Sequence, residues 1–134
     1  MLLSLVGIAA VIGAVVLYVQ YRAQYLESWG ERTGAPDGFR IVVATTDASE
    51  YFATIEGECS GLQSCVDLNA GESVKNWANG IGFSMDDDVA QCFRFGCNRV
   101  ITHEGHDVIL NIRTAYVSTS SASARYVLTL QMEY

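Results

Sequence analysis

Residues 1–19 read MLLSLVGIAAVIGAVVLYV, a run with no charged side chain, in which Ser4 and the Tyr18 hydroxyl are the only polar groups. As an α-helix this run spans roughly 28 Å at about 1.5 Å per residue, close to the hydrocarbon thickness of a bilayer. An apolar helix therefore leads, and the rest of the chain has to fold behind it. Gln20, Arg22 and Gln24 carry the helix out into water, with Tyr18 and Tyr21 at the level where amphipathic rings favour a membrane interface. Beyond them Tyr18, Tyr21, Tyr25 and Trp29 recur at three- and four-residue steps and share one face, which is expected to pack on the domain that follows. Gly30 and the cluster Gly34-Ala35-Pro36-Asp37-Gly38 supply stop signals. The chain thus divides into a helix over residues 1–29 and a head over residues 30–134.

The composition agrees with that division. The 134 residues suffice for one small domain and one accessory segment. Hydrophobic residues make up 50% and charged residues 17%, which excludes a disordered tail. A single proline and twelve glycines exclude a collagenous or proline-rich spacer. The net charge of −7 and pI near 4.6 argue against a nucleic-acid partner. The mean hydropathy of +0.20 is high for a soluble domain, and the first nineteen residues account for the excess.

A cleavable secretory signal would need a basic n-region, a shorter apolar core and a small-residue cleavage site. No Lys or Arg precedes Arg22, and the run ends in Leu17-Tyr18-Val19-Gln20, so a retained span is expected. Gly7, Ala9, Ala10, Gly13 and Ala14 contain the pairs Ala9/Gly13 and Ala10/Ala14, a spacing that lets helix backbones approach closely.

In the head, Phe39–Thr46 reads as a strand between Gly38 and Asp47. Asp47 or Ser49 is placed to cap a short helix over residues 50–56, stopped at Gly57. Residues 57–98 read as loop-rich, with short helices over Ser73–Asn79 and Asp86–Phe93. Arg99–Thr102, Val108–Val117 and Arg125–Met132 are strand-like, and their short connectors, 103–107 and 118–123, favour an antiparallel meander. Alternation through Ile109, Asn111 and Arg113 against Leu110, Ile112 and Thr114 indicates one covered and one partly wet face. The aromatic side of the N-terminal helix is the natural cover. The expected class is α+β: a long N-terminal hydrophobic helix packed on a small antiparallel β-sheet head.

Cys59, Cys65, Cys92 and Cys97 form an even set behind a membrane segment, which points to two disulfides in an oxidising compartment. A structural zinc site and free thiols are the rival readings. The C-x5-C and C-x4-C spacings do not match usual zinc pairs, and the C-x-x-C of a redox enzyme is absent. Of three possible pairings, local closure 59–65 and 92–97 is preferred because each loop carries a glycine. His103-Glu104-Gly105-His106-Asp107 has one residue too few for a zincin helix and lies where a hairpin must turn. Asp86-Asp87-Asp88 lacks the alternation of a calcium loop and suits a helix start. With no phosphate loop, no nucleophile elbow and no recognisable nucleophile–base pair, no catalytic residue, cofactor or metal is assigned. Residues 37–88 hold ten acids against Arg40 and Lys75, whereas residues 94–134 hold Arg94, Arg99, Arg113 and Arg125 against three acids. That asymmetry reads either as ordinary surface solvation or as an acidic face that meets an arginine-bearing face on the next head.

A chain that starts directly with an uncharged helix, continues amphipathically and then carries a small cysteine-bearing head resembles a type IV pilin, most of all the type IVb branch. The likeness covers residues 1–29 and, in architecture only, the head. It implies a helical spine followed by an antiparallel sheet with a disulfide near its C-terminal region. It further implies processing at Met1 by a prepilin peptidase, with methylation of the new amine. The subunit would wait in the inner membrane and then enter an extracellular, homo-oligomeric helical filament at the cell surface. An assembly platform and an assembly ATPase would act on it. Leu5 stands where such pilins usually carry a glutamate that pairs with a neighbour's N-terminal amine, so that docking pair is missing. The alternative expectation is a single-pass, membrane-anchored envelope binding module that does not polymerise.

Overall fold

The computed structural model describes residues 2–86, 88–118 and 122–134, with backbone alone at 2–5 and 115–118. Helix α1 (Leu2–Thr33) is followed by β1 (Arg40–Thr46), β2 (Glu50–Ser60), α2 (Leu62–Leu68), α3 (Ala70–Ile81), α4 (Val89–Phe95), β3 (Cys97–His103), β4 (His106–Ser118) and β5 (Ser123–Glu133). The strands form one antiparallel sheet in the order β1-β2-β5-β4-β3. The fold is α+β, with the long apolar helix in front of the sheet.

The meander reads as expected: β3, β4 and β5 are neighbours, each a little longer than the sequence runs that marked them. The turn between β3 and β4 has positive φ at both Glu104 (51°) and Gly105 (86°), as a two-residue type I′ hairpin requires. Val108, Leu110 and Ile112 of β4 and Leu128, Leu130 and Met132 of β5 point to the inner face and are fully buried. Parts of α1, α3 and α4 cover that face: Leu26 and Trp29, Val74 and Ala78, Val89 and Cys92 join the same core.

Residues 50–60 correct the sequence reading. They form β2 rather than a capped helix, and Tyr51, Ala53 and Ile55 alternate inward. The capping chemistry is real but serves a turn. Asp47 Oδ1 accepts hydrogen bonds from the Ser49 amide and hydroxyl, both at 2.6 Å, and from the Glu50 amide at 3.0 Å. The Asp47 amide in turn donates to Glu50 O, closing the β1–β2 hairpin. The Ser49 hydroxyl and the two amides hold the Asp47 carboxyl below its ordinary range. Gly57 does not stop a helix either. A Cβ there would sit 2.6 Å from the Phe39 ring, so glycine lets Phe39 lie over the strand.

The segment 57–98 is also more regular than its composition implies. It holds α2, which the sequence reading lacked; the first short helix is extended to Ala70–Ile81, and the second, expected from Asp86, starts at Val89 and runs to Phe95. Asn69, in the left-handed region at φ 42°, both ends α2 and starts α3. Two local disulfides, Cys59–Cys65 and Cys92–Cys97, close this region at either end. Loops this short stabilise by about 2 kcal/mol each.

Candidate functional site

Helix α1 changes character along its length. Its described side chains from Val6 to Tyr21 are all exposed, the large apolar ones from Val19 at 43% to Leu17 at 68%. The helix is long and apolar enough to cross a membrane, and none of its most apolar window is buried against the head. Gly7, Ala9, Ala10, Gly13 and Ala14 all lie in this bare stretch. A Cβ added at Gly7 or Gly13 would meet nothing within 4 Å, so neither glycine is required by the fold of the chain itself. Met1 lies outside the described residues.

From Arg22 onward the same helix is locked to the head. Arg22 lies 4.2 Å over the Tyr134 ring, and its Nη2 donates to Tyr134 O at 3.1 Å. The Tyr25 hydroxyl donates to Glu104 Oε2 at 2.5 Å, across the β3–β4 turn. That donor holds the Glu104 carboxyl below its ordinary range. Leu26 is fully buried, and Trp29 meets Tyr51 edge to face at 5.7 Å. Trp77 of α3 donates from Nε1 to Thr33 O at 2.9 Å, satisfying a carbonyl of the last helical turn. The aromatic stripe is thus divided: Tyr25 and Trp29 reach the head, whereas Tyr18 and Tyr21 stay exposed.

Gly30 is part of this seam. The helix runs through it to Thr33, and a Cβ at Gly30 would lie 2.1 Å from the Tyr51 ring. Glycine here permits close approach of α1 to β2, and the helix ends instead before Gly34, at φ 58°.

The head holds its remaining chemistry in structural roles. Four cysteines pair in the two local bridges. His103 and His106 face each other across the hairpin, and their rings contact Trp29 and Tyr134 respectively. Among the described residues no group of three or more His, Cys, Asp or Glu is placed to hold a metal. Asp88 stands at the start of α4 and its carboxylate pairs with Arg99. Glu56, buried to 8% exposure, accepts from Arg125 Nη2 through both oxygens at 2.7 Å, and Arg125 Nε also reaches Glu58 at 3.2 Å. The hydrogen bonds to Glu56 raise the guanidinium pKa further. Two of the four arginines in the basic segment are therefore engaged by acids of their own head.

Two further surfaces were not visible in the sequence. One is a groove between α1 and β1, lined by Glu27, Gly30, Glu31, Ile41, Ala44, Thr46 and Tyr51. The other lies on the opposite flank of α1, lined by Trp29, Arg32, Thr33, Trp77, Ile81 and His103 among others. A signal for them existed in the one-turn spacing of Glu27 and Glu31 and in the placing of Arg32 beyond them. It could be read only once the sheet order was known.

Comparison of the chain with family models, with curated proteins and with solved structures found no match.

Proposed function

We propose that this chain is the structural subunit of an extracellular filament, similar to a type IV pilin, and that it polymerises through α1. One observation carries the proposal: among the described residues, none of the apolar half of α1 is buried against the rest of the chain. About fourteen apolar residues held bare on a rigid helix have to be covered by lipid, by copies of the same helix, or by each in turn. The small residues Gly7, Ala9, Ala10, Gly13 and Ala14 favour the helical cover, because close backbone approach yields dispersion contacts that lipid chains do not match. The seam at Leu26, Trp29 and Gly30 makes the helix a stiff handle, so that packing the helices also sets the positions of the heads. The two disulfides suit an oxidising compartment outside the cytoplasm.

In this reading the subunit waits in the inner membrane with its head outside and leaves lipid for a bundle of identical helices on assembly. Prepilin peptidase, a membrane platform and an assembly ATPase are the partners that the pilin likeness brings with it. Electron microscopy of material sheared from expressing cells, with N-terminal sequencing, is the direct test. Filaments whose subunits begin at Met1 with a methylated amine are expected. Monomers bound to detergent micelles, with no polymer at any concentration, would establish the membrane-anchored binding module instead. Gly13→Leu is expected to abolish filaments while leaving membrane insertion and head folding unchanged, since a Cβ at that position would meet nothing within 4 Å.

A further inference from the structure

Strand β1 is exposed along its whole length on both faces, and among the described residues it pairs with β2 alone. Its sequence, Arg40-Ile41-Val42-Val43-Ala44-Thr45-Thr46, places three β-branched apolar residues in a row at 40–50% exposure. An open apolar edge of this kind invites another strand. The opposite edge of the same sheet, β3, is also seven residues long and also pairs on one side only.

We propose that β1 of one head joins β3 of the next copy, so that the sheets of successive heads run into one another. This rests on the filament reading and adds the head-to-head contact. Four observations converge on it. First, β1 and β3 run in the same direction, because four antiparallel steps separate them. Copies inserted in a membrane with one orientation keep that direction, so the joint is a parallel strand pair. Second, the middle residues of the two edges are Val43 and Val100, exposed by 50% and 58%. Third, both valines lie on the outer face: the ladder aligns Val43 with Thr54, Thr129, Asn111 and Asn98, and Asn98 shares its side of β3 with Val100. Pairing at mid-strand sets the two valines side by side, and a one-residue slip would separate them to opposite faces.

Fourth, charge gives the joint its sense. On the inner face α1 presents Glu27 and Glu31 on the β1 side, and Arg32 on the β3 side next to His103. Joining β1 to a neighbour's β3 brings the acidic flank of one helix towards the basic flank of the next. Joining β1 to β1 would set acid against acid. The contact is therefore between unlike surfaces, which each further copy can repeat and which yields an open helical array wherever the rotation between copies does not close a ring.

Full-length chains carrying Val43→Cys and Val100→Cys separately, mixed before assembly and then oxidised, test the joint. Cross-linked pairs in the mixture and not in either variant alone are expected. Glu31→Lys in the Val43→Cys chain should reduce the yield, and Arg32→Glu in the Val100→Cys chain should restore it. Cross-linking of Val43→Cys alone would overturn the proposal in favour of a closed β1–β1 dimer. Wild-type filaments together with no cross-link in the mixture would overturn the edge joint and leave the filament reading standing. Absence of both filaments and cross-links would overturn both.

Discussion

The two ends of α1 are one unbroken helix in two different surroundings. Residues Val6 to Tyr21 are exposed, whereas Leu26, Trp29 and Gly30 are buried against the sheet. Both stretches contain glycine, yet among their described residues only Gly30 is in a close contact that a side chain would block. At Gly30 the neighbour is Tyr51, and at Gly13 a Cβ would meet nothing within 4 Å. The same residue type at the same helical geometry is thus a matter of folding in one place and, in the filament proposal, of association in the other.

The sharpest way to break this contrast is Leu26→Ala. Removing a fully buried leucine from the seam is expected to destabilise the head by about 2–5 kcal/mol, read by thermal or denaturant melting in detergent. If the melt does not move, the helix is not part of the head's core. Gly30→Ala comes next: its Cβ collides with a buried tyrosine, and a loss of about 1–3 kcal/mol is expected in the same measurement. A smaller effect belongs to the Tyr25–Glu104 hydrogen bond. Glu104 titrates below its ordinary value of 4.5 in the folded head, so its contribution is fully present above that pH. That contribution is lost as acid protonates the folded carboxylate. A shallow decline in stability below pH 4.5 is expected, and Tyr25→Phe should remove Glu104's share of it. Gly13→Leu closes the scale, with a head melting transition unchanged within about 0.5 kcal/mol.

The sequence made α1 legible because a charge-free run has few alternative fates, and it made the β3–β4–β5 meander legible because alternation survives in a half-covered sheet. β2 was hidden for a chemical reason. Asp47 and Ser49 form the same side-chain-to-amide hydrogen bonds at a hairpin turn as at a helix start, and Gly57 resembles a stop until the Phe39 ring above it is known. Gly30 misled in the same way, since helix propensity does not register the Tyr51 ring that requires it. The small residues in the apolar half of α1 could be named from the sequence, but among the described residues none of them is covered by another element. The sheet edges could not be named at all. Being an edge is a property of strand order, and β1 carries an apolar run that would suit a central strand equally well.

The disulfides acquire a different meaning when force is considered. Cys59–Cys65 and Cys92–Cys97 bridge residues only six and five apart, and neither crosses from α1 to the sheet or from one strand of the β1–β2 hairpin to the other. Tension applied along α1 enters the head through the short connection to β1, a strand held by one ladder of backbone hydrogen bonds. No covalent bridge arrests extension once that strand peels away. Mechanical strength therefore resides in the noncovalent seam and in β1 itself, and a neighbour's strand along the open edge would clamp the load-bearing strand from both sides.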